Sequence, residues 1–188
     1  MIKVNVFIEG KNTDFLRFRQ VFSEKNAYLC RKSQHSNPLK RILFVCHGNI
    51  CRSPMAEFVM KDLVRKAGRE QDFHIESAAT STEELGNPVY PPARRKLAEH
   101  GISCSGHAAR QLRRADYDRF DLLIGMDTWN IRNMQRMCGG DPDHKIHMLM
   151  DFTSRPGDVA DAWYTGNFDA TWRDVLEGCE ALMELSNH

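Results

Sequence analysis

The chain has 188 residues and a formal net charge of +1, with 26 basic and 25 acidic side chains. Those charges are interspersed, so no basic stripe for nucleic acid or acidic tail stands out, and no uninterrupted apolar run approaches a membrane span. The length suits one domain with a sizeable core plus an extension.

Residues 1–38 read as an N-terminal extension without an assigned role, and residues 39–188 as the domain. Met1 to Gly10 alternates apolar and polar residues and lacks the apolar core and small-residue cleavage site of a signal peptide. Asp14 to Phe22 has the spacing of a short amphipathic helix, and Cys30 to Pro38 is a polar stretch with linker character.

From Leu39 onward strand and helix patterns alternate. Ile42 to Val45 is an apolar run expected as a buried strand, followed by a helix over Ala56 to Ala67 that Gly68 closes. Phe73 to Ser77 reads as a second strand, with a helix from Pro92 to His100 ended by Gly101. Phe120 to Met126 is a third strand, Thr128 to Met137 a helix, and Lys145 to Met150 a short fourth strand. A last helix runs from about Asp169 to Leu185. The alternation predicts an α/β fold with a parallel sheet and helices on both faces. In such sheets ligands sit beyond the carboxyl ends of the strands, where Cys46 follows the first one.

Between the first strand and its helix lies Cys46-His47-Gly48-Asn49-Ile50-Cys51-Arg52-Ser53-Pro54. Strand, glycine-bearing loop and helix N-terminus in that order build an anion cradle of inward N–H groups and a positive dipole end. A cysteine at the loop's first position sits where the thiolate is favoured over the thiol. Arg52 closes the ring with a planar fork suited to two phosphate oxygens. Ser53 and Pro54 stand where an N-cap and a first-turn proline belong, and the Ser53 hydroxyl can also bond the thiolate. Asn49 suits a left-handed backbone within the loop. A thiolate and a phosphate cage in one loop point to attack on phosphorus by Cys46, with residues 47–53 (His47, Gly48, Asn49, Ile50, Cys51, Arg52 and Ser53) holding the phosphate. A second Cys-x5-Arg, from Cys104 to Arg110, has neither the preceding strand nor the Ser-Pro helix start, and Cys104 reads as an ordinary small residue.

Residues Leu43 to Glu57 resemble the low-molecular-weight protein-tyrosine phosphatases, whose signature runs Val-Cys-x-Gly-Asn-x-Cys-Arg-Ser-Pro. Ser77 to Thr80, Arg94 to Ile102, His107 to Gln111, Met126 to Asn130 and Asp161 to Tyr164 fall in that family's order. The resemblance implies a doubly wound four-stranded parallel sheet, a phosphotyrosine-containing protein substrate, a phosphocysteine intermediate, and neither cofactor nor metal. It also implies that Asp161 is the general acid and later the base for water. Ala162 stands where the family has proline, which removes a fixed φ from that loop. Asp158 and Asp151 are the fallback acids.

By the same resemblance Trp163 and Tyr164 wall the pocket, and Asn49, Ser53, Ser77 and His107 brace the loop. Asp127 either ties Arg52 or the loop backbone in place or caps the helix that follows. Cys51 is implied as a reversible disulfide partner that protects Cys46 from over-oxidation. Glu83 falls where the family commonly has a wall aromatic. It would repel a dianionic phosphate if it pointed inward, or select a basic substrate segment if it faced the rim.

Three other readings share parts of this pattern. A thioredoxin-coupled arsenate reductase needs two further relay cysteines, and Cys104 and Cys138 lack the close spacing expected for them. Protein-arginine phosphatases favour threonine where Ile50 stands. A phosphate-binding pseudophosphatase would have the cage but a misplaced Asp161. The six cysteines form neither Cys-x-x-Cys nor a paired framework, which suits a reducing compartment and makes cytoplasm the expected location. The eight histidines show no metal-site spacing with acids or cysteines. Nothing in the sequence sets an oligomeric state.

Overall fold

In the computed structural model of the chain, residues 39–185 are described, so the expected helix at Asp14 to Phe22 lies outside the described residues. Strands β1 (Lys40–Cys46), β2 (Phe73–Ala79), β3 (Leu122–Gly125) and β4 (Ile146–Met148) form one sheet in the order β2-β1-β3-β4. All three pairings are parallel, with Ile42 opposite Ile75 and Leu122, and Leu123 opposite Ile146. Helices are α1 (Arg52–Lys66), α2 (Pro91–Glu99), α3 (Arg114–Arg119), α4 (Thr128–Cys138), α5 (Ala162–Thr165) and α6 (Phe168–Leu185).

The central strand has to be apolar on both faces because helices cover both. Ile42, Leu43, Phe44 and Val45 are all buried. Leu43 and Val45 pack with Tyr117 of α3 and with Met134 and Cys138 of α4. Strand alternation sends Ile42 and Phe44 to the opposite face, which α1 and α6 cover. Helix α6 presents Thr171, Asp174, Val175, Gly178, Cys179 and Leu182 inward, the three-four spacing of an amphipathic helix. The chain turns back between β2 and β3 to the other side of β1, so strand order reverses between β1 and β3. A crevice at the carboxyl ends of those two strands is where this topology exposes loop groups to a ligand. Cys46 ends β1, and Met126 and Asp127 follow β3 at that point.

The elements predicted from Leu39 onward are all present, with shifted bounds. Helix α1 starts at Arg52 rather than Ala56, because the loop runs directly into the first turn with Cys51 at the cap position and no side-chain cap. Ser53 is therefore not an N-cap, and its hydroxyl is free for the loop. Helix α2 begins one residue earlier than predicted, at Pro91, and ends at Glu99. Strand β3 is shorter at its start because Phe120 caps α3, a helix the sequence reading did not identify. The fourth strand stops at Met148, where Leu149–Phe152 tightens into a 3-10 turn whose Met150 carbonyl takes the Thr153 N–H. Helix α5 was also not foreseen. Among the described residues no helix is long and apolar enough to cross a membrane.

Gly178 lets α6 lie close to the turn after β4: a methyl group there would meet Leu149 Cγ at 2.5 Å. Leu149 is fully buried, so it has nowhere to move. Overpacking of this kind costs about 1–3 kcal/mol, against a helix-propensity gain of about 1 kcal/mol for replacing glycine. Gly178→Ala is expected to lower the thermal midpoint by a few degrees in a calorimetric scan. A raised midpoint would mean that the helix can shift away from Leu149 at no cost.

Candidate active site

The loop of residues 46–52 is held open by its own backbone and by one buried side chain. Asn49 takes a φ of +58°, the left-handed turn foreseen for it, and is fully buried. Both amide hydrogens and the amide oxygen are bonded. Nδ2 donates to Ser53 Oγ at 3.0 Å and to Ser77 Oγ at 2.7 Å, and Oδ1 accepts the Arg110 N–H at 3.1 Å. The Asn49 carbonyl takes a bond from His107 Nε2 at 2.8 Å. A carbonyl only accepts, so Nε2 carries the hydrogen. The bracing set expected by resemblance is thus in contact, through Asn49.

This network also orients the hydroxyl nearest the sulfur. Ser53 Oγ accepts from Asn49, and its single hydrogen faces Cys46 Sγ at 3.0 Å and the Ala78 carbonyl at 3.5 Å. The Asn49 N–H points at the same sulfur from 3.3 Å. Two polar groups thus converge on one buried sulfur. Ser77 in turn donates to Glu57, a buried carboxylate of α1 that also takes Lys61 Nζ and lies 4.0 Å from His107 Nδ1. Glu57 was missed by the sequence reading. Its signal was a glutamate inside an otherwise buried helical stretch, a position that demands partners.

Arg52 is nearly out of water, with 6% of its side chain exposed, and lies between two carboxylates. Nη1 meets Asp127 Oδ2 and Nη2 meets Asp161 Oδ2, each at 2.6 Å. Burial works against the guanidinium charge, but Cys46, Asp161 and Asp127 together hold its pKa above the ordinary value. Asp127 does both things offered for it, since Oδ1 caps α4 through the Asn130 N–H at 2.7 Å. Asn130 is a structural residue whose Oδ1 takes the Met126 N–H.

Asp161 stands at the N-cap of α5, with Oδ1 accepting the Trp163 N–H at 3.0 Å and Oδ2 turned to Arg52. The fallback acids are engaged elsewhere: Asp158 with the Thr128 N–H and Asp151 with the Met148 N–H. Cys51 is buried at the cap of α1, and burial, with Cys46 and Asp161 adding to it against Arg52, pushes its thiol up to about 12.

The walls differ from expectation. Trp163 packs its ring 5.0 Å from that of Tyr90, while Tyr164 is 84% exposed. The second aromatic beside Trp163 is therefore Tyr90, which the sequence reading overlooked. It directly precedes Pro91 and its N–H bonds the Ile50 carbonyl at 2.8 Å. Thr80 and Ser81 extend the β1–β2 ladder beyond the strands by bonding the Cys46 and His47 carbonyls. That places Glu83 on the rim, where it meets His47 Nε2 at 3.1 Å and both side chains are exposed. A Cβ on Gly48 would sit 3.2 Å from Glu84 Cγ, a tight contact that the half-buried Glu84 side chain would have to relieve.

The rival cysteines are placed differently. Cys104 is buried, and Arg110 of the second Cys-x5-Arg is paired with Glu76 and Asp116. Burial pushes up the thiols of Cys104 and of Cys138, the latter to about 11 with Asp116, Asp141 and Asp118 adding to it. Relay chemistry needs readily formed thiolates, and neither site favours one.

The model of the low molecular weight phosphotyrosine protein phosphatase family matches residues 41–187. The chain is 41% identical over 144 residues to a low molecular weight protein-tyrosine-phosphatase of Bacillus subtilis, YfkJ, covering 76% of this chain and 92% of that one. The crystal structure of YfkJ matches with a TM-score of 0.76 at 38% identity, over 80% of this chain and 96% of its own. An arginine phosphatase of Drosophila matches with a TM-score of 0.70 at 30% identity, over 76% and 95% respectively. With these likenesses added to its loop and sheet, the chain belongs to the low molecular weight phosphotyrosine protein phosphatase family.

Proposed function

We propose that the chain hydrolyses phosphotyrosine monoesters on proteins in two steps through a phosphocysteine on Cys46. The observation that carries this reading is the meeting of three groups at one point. They are the Cys46 sulfur with two donors, the Arg52 fork, and Asp161 on that fork at 2.6 Å. In the first step the thiolate attacks phosphorus in line, the P–O bond to the phenol breaks, and Asp161 gives its proton to the departing oxygen. Loop N–H groups and Arg52 meet the charge on the equatorial oxygens. The phosphate dianion competes with Asp161 for Nη2, which frees that carboxyl to carry the proton. In the second step water attacks phosphorus, Asp161 takes the water's proton, and the S–P bond breaks. The Ser53 hydroxyl then bonds the departing thiolate.

Phosphotyrosine as the substrate is supported by the names of the relatives and by the Tyr90–Trp163 pair, an aromatic surface suited to a phenyl ring. The arginine phosphatase among the structural matches raises phosphoarginine as a second substrate. Ile50, buried and apolar, speaks against it, because it offers no hydroxyl to a guanidinium. We place Cys51 as the redox partner of Cys46 and the enzyme in the cytoplasm, where its thiols stay reduced.

Cys46→Ser is expected to abolish turnover of a phosphotyrosine peptide while inorganic phosphate still binds by calorimetry; sustained turnover would remove Cys46 as nucleophile. Asp161→Asn should slow hydrolysis of phenyl phosphate by about 10²–10⁴-fold, the usual contribution of a general acid, and slow a dinitrophenyl ester far less. Equal losses on both esters would take the proton-donor role away from Asp161. Across phosphotyrosine, phosphoserine and phosphoarginine peptides, only the first should be a good substrate. Phosphoarginine as the best of the three would transfer the assignment to the second reading.

A further inference from the structure

Ala162 leaves the residue after Asp161 without a covalently fixed φ, yet the segment leading into it is held on both sides. The two backbone polar groups of Ala160, the residue before Asp161, both end on side chains of α6. Its N–H donates to Asp174 Oδ2 at 3.1 Å, and its carbonyl accepts from Thr171 Oγ1 at 2.6 Å. Thr171 and Asp174 are one helical turn apart and share a face, and both are buried, at 0% and 6% exposure. Arg155 Nη2 takes the other oxygen of Asp174 at 3.2 Å, which leaves Oδ2 turned to Ala160. One residue earlier, the Val159 N–H bonds the Met126 carbonyl at the end of β3. Ala162 itself is buried, whereas Trp163 and Tyr164 beyond it are exposed. The backbone is thus anchored up to residue 162.

We infer that Asp174 and Thr171 are positioning residues for the acid, gripping the Ala160 peptide groups so that Asp161 is presented to the leaving oxygen. The inference rests on the reading of Asp161 as the proton donor. Two hydrogen bonds from a rigid helix fix ψ at residue 160 and the direction in which Asp161 leaves it. They hold the chain entering Asp161, whereas a proline at 162 would fix the φ that follows it. Misplacement of a catalytic group by about 1 Å can cost on the order of 10²-fold in rate.

The test uses the full chain and a series of aryl phosphates that differ in leaving-group basicity. Asp174→Ala and the near-isosteric Thr171→Val should each lower kcat/KM for phenyl phosphate by about 10–100-fold. The dinitrophenyl ester and the inhibition constant of inorganic phosphate should be nearly unaffected. Asp174→Asn should recover most of the phenyl phosphate rate, because its amide oxygen still accepts the Ala160 N–H although the ion pair with Arg155 is gone. In an Asp161→Asn background, Asp174→Ala should add no more than about twofold, as groups that act through one another are not additive. Equal loss on all esters, a full further loss in the Asp161→Asn background, or Asp174→Asn behaving like Asp174→Ala would each overturn the inference. If Asp161→Asn alone showed no leaving-group dependence, the assignment of the acid would fall instead. Thr171→Val keeps the helix filled, so it reports even if Asp174→Ala does not fold.

Discussion

A guanidinium taken almost wholly out of water has to be met by negative charge, and the arrangement of the site follows from how Arg52 satisfies that need. Leaving either arm unpaired would be costly in so dry a setting. Asp127 and Asp161 supply the charge, and each belongs to a different part of the chain. Asp127 stands at the end of β3 and also caps α4, so one carboxylate fixes the arginine to the sheet. Asp161 stands at the head of α5, so the other ties that helix to the arginine. Because two anions share one cation, the phosphate of the proposed mechanism would displace one of them without leaving the guanidinium unmatched.

A second constraint acts on the loop itself. The Asn49 carbonyl on the outside of the turn takes its hydrogen from His107, while the Asn49 side chain bonds Ser53, Ser77 and the Arg110 N–H beneath it. The same asparagine aligns the Ser53 hydroxyl with the sulfur, so a packing device and a charge-stabilising device are one side chain. Sheet topology joins the two constraints. Strand order reverses between β1 and β3, and only there do the Cys46 loop and Asp127 come within reach of each other.

Much of this was legible in the residues because local chemistry carried it. The Ile42–Val45 run, the glycine at position 48, the asparagine at 49 and the alternation of strand and helix patterns each had one physical reading, and the elements formed where expected. What stayed hidden depended on contacts distant in sequence. Ser53 read as an N-cap because the start of α1 was set too late, and nothing local shows that Arg52 is already helical. Glu57 looked like an ordinary helix acid until Ser77, twenty residues away, was seen to bond it. Tyr90 carries no motif, and only the packing of α5 on α2's leading edge brings Trp163 to it. Glu83 was flagged with two opposite orientations, and only its contact with His47 shows that it is exposed on the rim.

The account depends on phosphorus passing through the sulfur of residue 46. Rapid acid quench of wild-type enzyme with a radiolabelled phosphotyrosine peptide, followed by digestion and mass spectrometry, tests that directly. The account predicts a transient phosphate on the peptide containing Cys46, formed and lost at rates that match turnover. Turnover without any labelled enzyme, or label on a different residue, would contradict it.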